Sequence, residues 1–182
     1  KDKLNIIFDA LEQSEVPIAT FRPTHLGPKY DAAMKFASMG GFIDITCDPD
    51  SMEKRSALII RAMEEAPEGL VTISTDGNGS LPVWNEKNEM IGIGAGNVIA
   101  LHDTVKAMVQ MHGLPLEKAI LPASTNGAKA LGLYPRKGAL EAGSDADIVL
   151  LDEQLNINTV IAMGKVLLKD GKMQVFCNFE DC

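Results

Sequence analysis

Three things are scarce in this chain. Cysteine occurs only at positions 47, 177 and 182 of 182 residues, an odd number without metal-type spacing. That set is no disulfide framework, so a reducing cytoplasm is the expected compartment. No cysteine is arranged with a histidine as a thiol nucleophile requires. Long apolar runs are missing too: none approaches the ~20 residues of a membrane-spanning helix, and the amino terminus has no signal-like pattern. Positive charge is in deficit, with 17 Lys and Arg against 25 Asp and Glu and a net charge of −8. That balance argues against nucleic acid and anionic membranes as partners. Internal repeats and low-complexity segments are absent as well.

What is present suffices for a core. The chain is 46% hydrophobic, in the size range of one or two domains. It opens on Lys1-Asp2-Lys3 with no Met, already inside a helical pattern, which leads us to expect a piece of a longer protein.

Leu4, Ile7, Phe8 and Leu11 have helical spacing, which predicts a helix over Asp2 to Gln13. After Pro17, Ile18 to Phe21 reads as a short strand ending at Arg22-Pro23-Thr24-His25. A helix from Tyr30 to Ser38 stops at Gly40-Gly41, and Phe42 to Thr46 is the next strand. Asp48-Pro49-Asp50-Ser51 supplies a turn and N-cap for a helix over Met52 to Ala66, with Leu58, Ile59, Ala62 and Met63 inward. Gly69 to Thr75 is then a buried strand that stops at Asp76, followed by Gly77-Asn78-Gly79-Ser80.

Helix and strand thus alternate through the first 76 residues, the rhythm of a parallel sheet with helices outside. A closed barrel and an open doubly wound sheet share that rhythm. Pro82 to Ile93 reads as a polar, turn-rich excursion, followed by a helix from Val98 to His112, a helical turn or two over Pro115 to Leu121, and a short helix capped by Thr125. From Lys137 the texture changes to short apolar runs (148–151, 159–162, 166–168 and 173–176) separated by turn signals, a small antiparallel β unit. We therefore divide the chain into an α/β part, 1–137, and a β part, 138–182; the latter carries three Lys against eight acidic residues, read as a solvated face.

His25 and Asp76 fall at the C-terminal ends of strands two apart, where α/β barrels present catalytic groups. Imidazole and carboxylate are the usual zinc ligands, and a carboxylate beside a metal-bound water can accept its proton. Each also has a plainer reading, His25 as a satisfied polar group and Asp76 as the start of an Asp-Gly turn. Two ligands do not make a site, and His102 and His112 are most simply exposed on a helix. Asp44 points either inward or into solvent. Gly92-Ile93-Gly94-Ala95-Gly96 hints at a phosphate cradle, but the spacing is not G-x-G-x-x-G and no convincing strand precedes it.

Pro23-Thr24-His25, Gly40 to Thr46 and Ser74 to Ser80 together resemble the C-terminal half of the isoaspartyl dipeptidases, within the amidohydrolase superfamily. The tail Gly138 to Leu150 with Ala162 to Lys172 resembles that superfamily's closing β-domain. The resemblance covers essentially the whole chain. It implies an α/β fold, the C-terminal part of a (β/α)8 TIM barrel plus a small antiparallel β unit of a composite β-sandwich. It also implies a two-zinc site bridged by a carbamylated lysine, a dipeptide substrate and a homo-oligomer.

On that resemblance His25 matches a zinc ligand after the sixth strand, Asp76 the ligand and general base after the eighth, and Ser80 a substrate-contacting serine. The implied reaction is attack of a zinc-bridging hydroxide on the β-aspartyl amide, with the aspartate passing the proton to the leaving amine. Where the family reads Thr-His-x-Asn-Arg, with the arginine on a substrate carboxylate, this chain has Thr24-His25-Leu26-Gly27-Pro28-Lys29. Pro28 takes the arginine's place, and Lys29 substitutes as a point charge without the bidentate fork. The remaining metal ligands of the family belong to sequence upstream of Lys1, so this segment alone is expected to be inactive. Two other functions are compatible with the same residues: a non-catalytic relative that binds a ligand or partner, and an amidohydrolase acting on cyclic amides or N-acyl amino acids.

Overall fold

A computed structural model describes residues 3–176. Cys177 and Cys182 lie outside them. The first helix, α1 (Lys3–Glu12), buries Phe8, whose ring stands 4.9 Å from that of Phe36 on α2 (Tyr30–Ser38). Small residues let α2 pack closely: Ala32, Ala33 and Ala37 are buried with Phe36. Gly40, at φ +87°, ends the helix in the left-handed conformation that glycine takes without strain.

Strands β1 (Ile43–Thr46) and β2 (Val71–Ser74) pair in parallel, Ile43 opposite Val71 and Thr46 opposite Ser74. The crossover between them is α3 (Met52–Glu65). Side-chain alternation sorts the two strands by face. Ile43, Ile45, Val71 and Ile73 enter the core with Ile59, Ala62 and Met108, while Asp44, Thr46, Thr72 and Ser74 form a polar opposite face.

The expected strand over Ile18 to Phe21 is a 3₁₀ turn instead. Thr20 N donates to Pro17 O and Phe21 N to Ile18 O, so those amides are spent locally and cannot join a ladder. The chain reaches the sheet later, over Pro23 to Leu26: Asp44 N donates to Pro23 O and Leu26 N to Asp44 O. A regular parallel ladder would bring the amide of residue 25 to Asp44 O. Here His25 sits at φ +58° and is left out of the ladder, a local bulge.

Residues 82–93 are not an open excursion either. Ser80–Trp84 (β3) and Met90–Ala95 (β4) form an antiparallel hairpin, with a bulge at Val83/Trp84. The Asn85 side chain ties the turn by accepting from Lys87 N and Glu89 N. Pro82 is tolerated because the pair has only edges.

Beyond the hairpin, α4 (Ala100–Gln110) lies along α3 and buries Thr104, Val105 and Met108. Two short helices follow, α5 (Leu116–Ala119) and α6 (Thr125–Ala130). Thr125 does not cap α6: that position belongs to Ser124, and Thr125 Oγ1 donates to Gly138 O at 2.7 Å. Asn126, buried on α6, donates to Val71 O at 2.9 Å and so occupies part of the free edge of β2.

The tail is a four-stranded antiparallel sheet in the order β5 (Ile148–Leu151), β6 (Ile157–Ala162), β7 (Lys165–Lys169) and β8 (Lys172–Met173). Of the run 173–176 only Met173 is in a strand. The sheet docks on α4 through one stripe of that helix: His102 bonds Leu155 O, Lys106 Nζ donates to Asn156 Oδ1, and Gln110 donates to Gln154 O. Architecture is therefore mixed α/β, and the described residues close no barrel.

Candidate active site

The C-terminal ends of β1 and β2, the 23–26 segment and the hairpin enclose a cleft of about 660 Å³. Its walls include His25, Thr46, Asp48, Arg55, Asp76 and Trp84. His25 and Asp76, far apart in sequence, are thus brought to one cavity. Lys29 and Ser80 are exposed and are not among the residues lining it.

His25 is oriented by Thr46, whose Oγ1 lies 2.8 Å from Nδ1. When Nδ1 carries the proton and donates it to Thr46, Nε2 keeps its lone pair for a ligand.

Asp76 stands where β2 has run out, at φ +50°. Its carbonyl accepts from Gly79 N at 2.9 Å, Asn78 N donates to Gly96 O, and Gly96 N donates to Gly79 O. This closes the Asp76 loop onto the far end of β4. Two glycines make the closure possible. A Cβ on Gly96 would lie 2.5 Å from the Asp76 carbonyl oxygen, and one on Gly79 2.9 Å from its carboxylate. Gly92 and Gly94 belong to β4 and Gly96 packs on Asp76, so the glycine run serves a strand and a loop closure, not a strand-to-helix turn of the nucleotide-binding kind.

Below the mouth lies Asp44, which points inward. It is 8% exposed, and its two carboxylate oxygens accept from Thr72 Oγ1 at 3.0 Å and Ser74 Oγ at 2.6 Å. Burial pushes its carboxyl above the usual carboxylate range, and the bonds from Ser74 and Thr72 recover part of the shift.

His102 is half-buried against the tail sheet rather than exposed. His112 is exposed and within hydrogen-bond distance of Ser56 Oγ. Neither approaches the cleft. Three cavity residues, Asp48, Arg55 and Trp84, are not marked as such by the sequence. Asp48 reads there only as a turn residue, and Arg55 on a helix and Trp84 in an expected loop carry no local motif that signals a cavity wall.

A catalytic zinc centre takes three protein ligands and an open position. The cleft supplies His25 and Asp76, and the described residues hold no group of three or more His, Cys, Asp or Glu placed for a metal. Two candidate donors fall short of that set among the described residues.

The chain aligns with known proteins over most of its length. A β-aspartyl dipeptidase of Fervidobacterium islandicum, solved with a β-Asp-Leu dipeptide, superposes with a TM-score of 0.85 at 34% identity, over 99% of this chain and 47% of that one. The N-acetylglucosamine-6-phosphate deacetylase of Bos taurus is 29% identical over 133 residues, 65% of this chain and 32% of the relative. An L-hydantoinase of Paenarthrobacter aurescens is 32% identical over 108 residues, 56% of this chain and 23% of the relative. The chain thus spans less than half the length of each. The family model described as "Amidohydrolase family" matches residues 11–167, and the chain belongs to that family.

Proposed function

We propose that this chain is the C-terminal part of a zinc-dependent amidohydrolase that cleaves β-aspartyl dipeptides. The observation that carries the reading is the meeting of His25 and Asp76 in one cleft, on a backbone that follows the dipeptidase at TM-score 0.85. His25 would hold metal through Nε2, and Asp76 would hold it through its carboxylate. A bound divalent metal supplies polarisation of the amide and an activated water at neutral pH.

The protein's own groups do the rest. Asp76 takes the proton of the attacking water and delivers it to the leaving amine. Thr46 fixes the His25 ring. Ser80 at the start of β3 and Lys29, both outside the lining of the cleft, are the residues we expect to contact substrate and to offer a point charge. A small dipeptide is the partner, nucleic acid and membranes are not, and a cytoplasmic homo-oligomer is the form we expect.

A second reading, hydrolysis of an N-acetyl or cyclic amide, is favoured by the deacetylase and hydantoinase matches. The test is turnover of β-Asp-Leu, N-acetylglucosamine 6-phosphate and a hydantoin by the zinc-loaded complete gene product. Cleavage of β-Asp-Leu, falling roughly 10²- to 10⁴-fold in Asp76→Asn, is expected. Cleavage of only one of the other two would replace the first reading.

A further inference from the structure

One wall of the cleft carries a cation that the reaction above does not use. Arg55, on the first turns of α3, lines the cavity with a side chain only 19% exposed. An arginine that far from water is usually held by a fork of charge-assisted bonds. This one has a single hydrogen bond among the described residues, from Nη2 to Asp48 Oδ2 at 3.4 Å, long for an N–H···O contact.

Asp48 is also satisfied without it. Its Oδ1 accepts from Asp50 N at 3.0 Å and its Oδ2 from Ser51 Oγ at 2.5 Å. The Ser51 bond is the largest cause of its lowered carboxyl pKa, and Arg55 ranks behind it. The guanidinium is therefore tied to its neighbour by one long ion-pair contact, which leaves its other N–H groups unspent among the described residues.

The main chain, by contrast, makes room for it. A Cβ on Gly27 would stand 2.3 Å from Arg55 Nη1, so the guanidinium lies over Gly27, two residues from His25, and would have to shift for any larger residue there. A guanidinium kept half-buried in a small-molecule-sized cleft, with most of its donors unspent, is a receptor for a planar or tetrahedral oxyanion.

We propose that Arg55 recognises the anionic group of the substrate, a carboxylate or a phosphate, while the scissile amide lies at His25 and Asp76. The proposal rests on the cleft being the hydrolytic site. It commits to the shared chemistry of two anions, the leucyl carboxylate of β-Asp-Leu and the phosphate of N-acetylglucosamine 6-phosphate.

The experiment is calorimetric titration of the metal-free complete gene product, so that no turnover is needed. Four probes are used: β-Asp-Leu, its C-terminal amide, N-acetylglucosamine 6-phosphate and N-acetylglucosamine. One acid is expected to bind roughly 10- to 100-fold more tightly than the counterpart that lacks its leucyl carboxylate or its phosphate. Arg55→Met should abolish that preference. Arg55→Lys, which keeps the charge and loses the fork, should retain part of it, and Gly27→Ala should reproduce the Arg55→Met loss by displacing the guanidinium. The acid that shows the preference identifies carboxylate or phosphate as the source. The proposal is overturned if no probe binds, if each acid binds no better than its counterpart lacking the leucyl carboxylate or the phosphate, or if the preference survives in a folded Arg55→Met protein. Turnover decides the other matter separately: cleavage of β-Asp-Leu without an Arg55 effect keeps the function and removes this role, and an Arg55-dependent preference without cleavage does the reverse.

Discussion

At the scale of single residues, the Asp76 loop depends on what is missing from one side chain. Gly96 has no Cβ, and the Asp76 carbonyl occupies the space one would fill. Because the obstructing atom is backbone, it cannot rotate away. Gly96→Ala should therefore cost about 1–3 kcal/mol in a urea titration and shift the Asp76 loop. Gly92 belongs to the same glycine run, yet a Cβ there would meet nothing within 4 Å. Gly92→Ala should leave stability within about 0.5 kcal/mol of the parent, and equal losses in the two variants would discard the packing explanation. Asp76 stood out in the sequence because an acidic group at a strand end is conspicuous, whereas His25 stood out through an expected strand that is a 3₁₀ turn, although both reach the cleft. Arg55 did not, since a basic residue near the start of a helix looks the same whether it faces solvent or a cavity.

Between elements, the polar face of β1 and β2 has a consequence for acid stability. Asp44 lies among Thr72 and Ser74 with its carboxyl raised above the ordinary 3.8, chiefly by burial. The fold thus favours its protonated form. That contribution is fully present below 3.8 and is lost as pH rises through the raised value. Other carboxyls, Asp48 among them, are lowered and act in the opposite sense. The difference in unfolding free energy between the parent and Asp44→Asn isolates the one group. It should drift against the parent as pH climbs from about 3 to 7, and a flat difference would rule the effect out.

Element assignment from sequence succeeded where period and punctuation agreed, as for α2 and its Gly40 stop or α3 between Asp48 and Pro67. It failed at Ile18 to Phe21, where β-forming side chains follow a proline that folds the amides back locally. It failed again at the hairpin, whose Ile91 and Ile93 alternate with glycine and whose partner strand contains Pro82, so turn-forming residues masked two strands. The stripe of His102, Lys106 and Gln110 was equally hidden. Polar residues at helical spacing look solvated until a neighbouring loop is there to accept them.

For the molecule as a whole, the proposed reading gives the chain only two donors, His25 and Asp76, of the three that a catalytic zinc needs. The 182-residue chain by itself should therefore bind less than a stoichiometric zinc pair and leave β-Asp-Leu intact. Metal analysis after dialysis and a ninhydrin assay for released leucine check this, and two zinc ions per chain with turnover would overturn it. The apolar hairpin residues are placed to meet other surface: Trp84, Met90, Ile91 and Ile93 are all more than half exposed.

Finally, His25 at φ +58° and Asp76 at φ +50° both sit in a backbone region that side chains other than glycine enter at a cost. Selection for stability alone would therefore drift toward glycine at the two positions that hold the donors. A library screened for thermal survival should enrich such losses, whereas one screened for turnover should purge them.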